Sequence, residues 1–135
     1  MRWVEGTVTQ HKNFARLVPA SAERIQYKAG DVILKEGDYG DRMFILTAGR
    51  AQITIHNQLL ETVEEGDVFG EMALVDAGPR GASVVAETDC EAAPVDARRF
   101  EFMVSETPFF ALALMRVMCR RIRSMNARGL VAEKA

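Results

Sequence analysis

The feature that most narrows the fold of this 135-residue chain is a recurring Gly-Asp pair. Gly30-Asp31, Gly37-Asp38, Gly40-Asp41 and Gly66-Asp67 punctuate a series of short apolar runs. Such pairs suit tight turns: glycine reaches backbone angles closed to other residues, and aspartate bonds nearby amides. The runs between them read as strands. Ile25 and Tyr27 alternate, Val32 to Leu34 is a short strand, and Phe44 to Thr47 leads through Ala48-Gly49-Arg50 into Ile53 and Ile55. Asn57-Gln58 reads as a two-residue turn into Leu59 to Val63. Val68-Phe69, Ser83 to Ala86 and Glu91 to Val95 complete the series. Short strands at this close spacing make a sandwich, a jelly roll or a barrel. Apolar residues are 48% of the chain, which supplies the core of one ordinary domain.

After Val95 the pattern becomes helical. Asp96 can cap a helix running to Val104, with Phe100 and Met103 on one face. Ser105-Glu106-Thr107-Pro108 breaks it, and Thr107 and Pro108 fit the cap and first turn of a second helix, Phe109 to Asn126. Phe110, Leu114, Val117, Met118, Ile122 and Met125 recur at helical spacing along it. Its first half is apolar on nearly every side, which implies burial against more than one surface: the β unit is one, and a partner's helix is a candidate for the other. Arg120, Arg121 and Arg123 close the helix, where cations suit its dipole, and Gly129 marks its end. Upstream, Pro19 stops any helix, so Met1 to Leu17, with Trp3, Val4, Phe14 and Leu17, is an arm or a short helix. The organisation is an N-terminal arm or helix (1–23), a β unit (24–96), C-terminal helices (97–128) and a tail (129–135).

Several classes of function are disfavoured. The net charge of −2 gives no global basic field for nucleic acid. No uninterrupted apolar run reaches membrane-spanning length, and Met1 to Gln10 lacks a secretory core. Cys90 and Cys119 have no framework spacing; they read as buried small residues of a reduced, cytoplasmic protein. His11 and His56 have no neighbouring acid or cysteine at ligand spacing, so no metal is expected. Met43, Met72, Met103, Met115 and Met118 read as core or helix-packing residues. No base accompanies either thiol, and no catalytic residue is assigned; a cupin-type enzyme would need clustered histidines.

The chemistry concentrates in Phe69 to Val84, FGEMALVDAGPRGASV. Gly70-Glu71-Met72-Ala73 opens a short helix directly after a strand, and a helix start offers free amides to an anion. Arg80 is permanently charged and can grip a phosphate through two parallel bonds. Gly81 and Ala82 add no bulk, so their amides can reach the same anion, and Ser83 adds a hydroxyl. Glu71 offers acceptors, which suit a sugar hydroxyl. An anion pole beside a hydroxyl pole describes a ribose phosphate; an internal Glu71–Arg80 ion pair is the competing reading.

These motifs resemble the cyclic nucleotide-binding domain family of catabolite-activator-type regulators, protein kinase A regulatory subunits and cyclic nucleotide-gated channels. The matching segments are GDVILKEGD (Gly30 to Asp38), GDRMFILTAGRAQI (Gly40 to Ile53), EGDVFGEMAL (Glu65 to Leu74) and PRGASVVA (Pro79 to Ala86), within about residues 24 to 126. The resemblance implies a mostly β fold with flanking α: an eight-stranded, jelly-roll-like double-stranded β-helix with a phosphate-binding cassette (69–84) that holds a short helix, and C-terminal helices. It implies that Glu71 binds the ribose 2′-hydroxyl and Arg80 an exocyclic phosphate oxygen. The amides of Gly70, Glu71, Met72, Ala73, Gly81, Ala82 and Ser83 would line the pocket. Serine at 83, where family members often carry threonine, favours cAMP over cGMP as the ligand. Arg116, Arg120 and Arg123 are candidates to cover the base; Arg123 is preferred because it lies late on the helix, while a solvated helix end is the bland alternative. The implied function is a sensor without enzymatic activity or cofactor, signalling through the final helix. Helix 109–126 would pair with its own copy, cap its own domain, or meet an effector protein. A chain ending at Ala135 leaves no room for a DNA-binding unit, so no nucleic acid partner is expected of it alone. The alternatives are a degenerate fold used for protein interaction and the sensor fragment of a transcription regulator.

Overall fold

In the computed structural model, which describes residues 11–76 and 78–129, a 3-10 segment (His11–Leu17) precedes the strands. The strands are β1 (Ile25–Tyr27), β2 (Val32–Leu34), β3 (Arg42–Ala48), β4 (Ala51–Ile55), β5 (Gln58–Val63), β6 (Val68–Phe69), β7 (Ser83–Ala86) and β8 (Cys90–Asp96). Helix α1 (Met72–Val75) lies between β6 and β7, and α2 (Ala97–Glu106) and α3 (Pro108–Ala127) follow β8. The readings made for Trp3, Val4 and the residues after Gly129 fall outside the described residues. No single described helix is long and apolar enough to cross a membrane.

The strands form two four-stranded antiparallel sheets, ordered β1-β8-β3-β6 and β2-β7-β4-β5. This is the double-sheeted roll that the resemblance implied. Strand β3 explains how two cores coexist. Its alternate side chains face opposite ways, and Met43, Phe44, Ile45 and Leu46 are all buried. Phe44 and Leu46 enter the core between the sheets with Ile53, Val63, Phe69 and Val84. Met43 and Ile45 enter a second core with Phe14, Val95, Met103, Phe110, Leu114 and Val117. The second core fastens the helices to the outside of one sheet. Stacked Phe44 and Phe69 rings, 5.2 Å apart, lock β3 to β6 directly ahead of the ligand-binding candidate segment.

Local details correct parts of the sequence reading. The β4–β5 turn is His56-Asn57, both at positive φ (52° and 66°), and Gln58 already belongs to β5. A two-residue hairpin needs that geometry at both turn positions, and asparagine tolerates it well. Asp96 caps α2 as expected, accepting a bond from the Arg99 amide. Thr107 precedes α3 but makes no side-chain cap bond; Pro108 fixes the start instead. In α3 the buried residues are Phe110, Ala113, Leu114, Val117 and Arg121. Phe109, Met115 and Ile122 are exposed, so the domain covers one face of this helix rather than all of it. Met72 is also exposed, which removes it and Met115 from the core, and Cys119 is exposed where Cys90 is buried.

Candidate functional site

The site is built where β6 ends. Val68 and Phe69 are anchored in the two cores, so Gly70, at φ 78°, turns the chain outward from a fixed point. Glu71 follows as the N-cap residue of α1, with helical backbone angles and no side-chain cap bond. Its carboxylate is free to be used elsewhere.

Arg80 sits across this turn. Its Nη1 donates to the Gly70 carbonyl at 3.0 Å and its Nη2 to the Arg42 carbonyl at 2.9 Å. The backbone holds the segment in register: the Arg80 amide donates to Asp38 O, the Gly37 amide donates to Arg80 O, and Tyr39 bridges Pro79. The guanidinium lies against Gly40 and Gly70, where an added Cβ would run into it. Two glycines therefore make a slot for one flat cation. Burial pulls the Arg80 guanidinium below the ordinary arginine value; Asp41 opposes this, Arg42 adds to it, and Glu71 opposes it. The net lowering says the surrounding charges do not fully compensate this cation. An added anion would lower its energy.

Glu71 has a different environment. It is 3% exposed, and both its oxygens accept from Arg121 Nη1, at 3.0 and 3.2 Å. Arg121 reaches in from α3, donating from Nη2 to Val68 O at 2.7 Å and from Nε to Glu61 on β5 at 2.9 Å. Asp67 lies 3.7 Å from Arg121 and accepts the Val68 amide. Burial alone would lower the Arg121 value, but Glu71, Asp67 and Glu61 outweigh it and the net direction is upward. Arg120 shares Glu61 with Arg121. Burial would raise the Glu61 carboxyl, yet bonds and charge from these two arginines bring it below its ordinary range. The competing reading of a Glu71–Arg80 pair is thus replaced: the partner of Glu71 is Arg121.

The remaining candidates flank this geometry. Ser83 opens β7, and its Oγ accepts the Glu36 amide at 2.9 Å, which leaves the hydroxyl proton for donation. Gly81 is exposed with open space around it, and Ala82 packs against the inter-sheet core. Met72 and Ala73 begin α1. Arg123 is exposed and lies about 200° around the helix from Arg121. While Arg121 points at Glu71, Arg123 faces away from it.

Arg121 was missed as a site residue because it was grouped with a solvated, dipole-matched helix end. A signal was present: Ala113, Val117 and Arg121 are spaced at i, i+4, on one helix face. No cluster of three or more histidines, cysteines or acids suited to a metal occurs among the described residues.

Comparison with known proteins gives the family and the fold. Residues 24–107 match the model of the cyclic nucleotide-binding domain. The chain is 29% identical over 107 residues to a CRP-like cAMP-activated global transcriptional regulator of Mycobacterium tuberculosis, covering 76% of this chain and 48% of the regulator. Among solved structures it resembles cAMP-bound PfPKA-R, with TM-score 0.76 and 28% identity over 96% of this chain and 47% of that one. It also resembles the cGMP-bound form of the EAL enzyme Bd1971, with TM-score 0.61 and 31% identity over 80% of this chain and 30% of that one. The chain spans about half the length of the curated regulator it matches. It belongs to the cyclic nucleotide-binding domain family.

Proposed function

We propose that this chain is a sensor of a cyclic nucleotide, with cAMP favoured over cGMP. The observation that carries this reading is Arg80, fixed in a glycine slot by two backbone carbonyls and short of compensating charge. A cyclic phosphate supplies the missing anion, and the outer N–H groups of Arg80 remain available to bind it. Glu71, immobilised by Arg121, accepts from the ribose 2′-hydroxyl through its remaining lone pairs. The amides of Gly70 to Ala73 and Gly81 to Ser83, with the Ser83 hydroxyl, complete the pocket. Arg123 remains the candidate for the base, which requires a shift of the last turns of α3. Serine at 83 supports the preference for cAMP.

The output in this reading is α3. Arg121 makes Glu71 a direct mechanical link between the cassette and that helix. A ligand that draws on Glu71 changes the balance between helix positions. The exposed face carrying Met115 and Ile122 favours transmission to a second copy or an effector. Isothermal titration with cAMP and cGMP tests the reading: the wild-type chain binds, cAMP more tightly, and Arg80→Ala binds both about a hundredfold or more weakly. An absence of binding to both nucleotides by the wild type sinks it. Distance labels on α3 that read the same with and without saturating cAMP sink the output.

A further inference from the structure

Glu61 lies on β5, outside the cassette, and its carboxylate accepts a bond from Arg121 Nε at 2.9 Å. The β4–β5 ladder pairs Ile53 with Glu61 but Thr54 with Leu59, so Leu60 is an extra residue in β5. A bulge of this kind re-aims the neighbouring side chain. Leu60 is buried in the inter-sheet core, and the Glu61 carboxylate is turned onto α3. Ser124 of α3 also donates to the Leu60 carbonyl, so the bulge is a docking point for that helix.

The guanidinium of Arg121 is a rigid plane with three usable edges, and each has its own acceptor. Nε takes Glu61, Nη2 takes the Val68 carbonyl, and Nη1 takes both oxygens of Glu71. Because the group is planar, fixing the Nε and Nη2 edges dictates where Nη1 points. The Nη1 edge in turn dictates the rotation of the Glu71 carboxylate. On the Nη2 edge the bonded acceptor is the neutral Val68 carbonyl, with the Asp67 carboxylate beyond bonding distance at 3.7 Å. Glu61 supplies the second, charged anchor.

We infer that Glu61 is a positioning residue for ribose recognition: through Arg121 it sets the Glu71 carboxylate to accept a nucleotide 2′-hydroxyl. This rests on the sensor reading above. Its consequence is selective. Loss of Glu61 weakens recognition of the 2′-hydroxyl and leaves the phosphate contacts at Arg80 in place, because Arg80 is held by Gly70 and Arg42 carbonyls.

The test is the ratio of affinities for cAMP and 2′-deoxy-cAMP, measured by titration on the full chain. The wild type prefers cAMP by about tenfold to a hundredfold, the worth of one hydrogen bond to a charged acceptor. In Glu61→Ala the ratio falls toward unity while affinity for 2′-deoxy-cAMP stays within about threefold of wild type, on the same scale. Glu61→Gln keeps one acceptor for Nε and gives an intermediate ratio; it decides the matter if the alanine variant does not fold. An unchanged ratio, or equal weakening of both nucleotides, overturns the inference and leaves the sensor reading standing. A wild-type chain that binds neither nucleotide overturns the sensor reading, and this inference with it.

Discussion

Two arginines, Arg80 within the cassette and Arg121 reaching it from α3, have surroundings that differ in kind. Arg80 is held by neutral carbonyls and is half-buried. Arg121 is buried among Glu61, Asp67 and Glu71. The first cation is under-compensated and the second over-compensated, as the opposite directions of their shifts express. Neutral carbonyls can aim a guanidinium without cancelling its charge, which keeps it available to an incoming anion. Carboxylates cancel the charge and turn the same group into a tie between helix and roll. In the sensor reading, one residue type serves recognition or cohesion according to what its neighbours leave uncancelled.

The largest effect that separates them is on stability. Arg121→Ala leaves buried carboxylates without their cation, and it should cost about 3–5 kcal/mol in denaturant unfolding. Arg80→Ala removes only bonds to two backbone carbonyls and should cost about 1 kcal/mol. A similar loss in both variants would erase the contrast.

Affinity should show the reverse order of specificity. Arg80→Ala should weaken cyclic nucleotide binding by about a hundredfold or more while the fold persists, since charge-assisted bonds to phosphate are lost. Arg80→Lys should recover little of it, because an ammonium cannot span Gly70 O, Arg42 O and a phosphate in one plane. Titration of a lysine variant at wild-type strength would show that charge alone matters at this pole.

A smaller effect comes from pH. The folded Glu61 carboxyl titrates below the ordinary value of 4.5 because Arg120 and Arg121 outweigh its burial. Its contribution is complete above the unfolded value and is lost as pH falls through the lower folded one. Stability should therefore decline on acidification below about 4.5, and less steeply in Glu61→Gln. Thermal melts of both proteins between neutral and acid pH measure the difference in slope. The smallest expected change is at Gly81, where an added Cβ meets nothing within 4 Å and φ lies outside the left-handed region. Gly81→Ala should stabilise the fold by about 0.4–1 kcal/mol through the unfolded chain. A loss of stability in melts would show that the segment after Arg80 needs glycine's backbone freedom.

Much of the roll was legible in the sequence because its signals are local. The Gly-Asp turns, two-residue alternation and the Asp96 cap each act within a few residues. The places of Gly70, Glu71 and Arg80 were legible for the same reason, since one short segment carries them all. The β4–β5 turn was misplaced by one residue because Asn57 fits either position, and only the ladder register selects His56-Asn57. Ile122 was assigned to the packed stripe because it is apolar, whereas the structure buries Arg121 and exposes Ile122. Residue type failed there because a charge can be buried when enough opposite charge waits for it.

What the sequence by itself determined is the order of strands and turns, the cassette, and the break at Pro108 that starts the last helix. Those features follow from backbone preferences and side-chain period, which the chain carries along its own length. What only the tertiary structure decided is the rotation of α3 and the partner of Glu71. The run Arg120, Arg121, Arg123 looks alike in sequence, and packing of Phe110, Leu114 and Val117 into the outer core selects which arginine turns inward. The bulge at Leu60 then decides that Glu61 is there to receive it. Coulombic compensation depends on distances in space, so it emerges only once residues far apart in the chain are folded together.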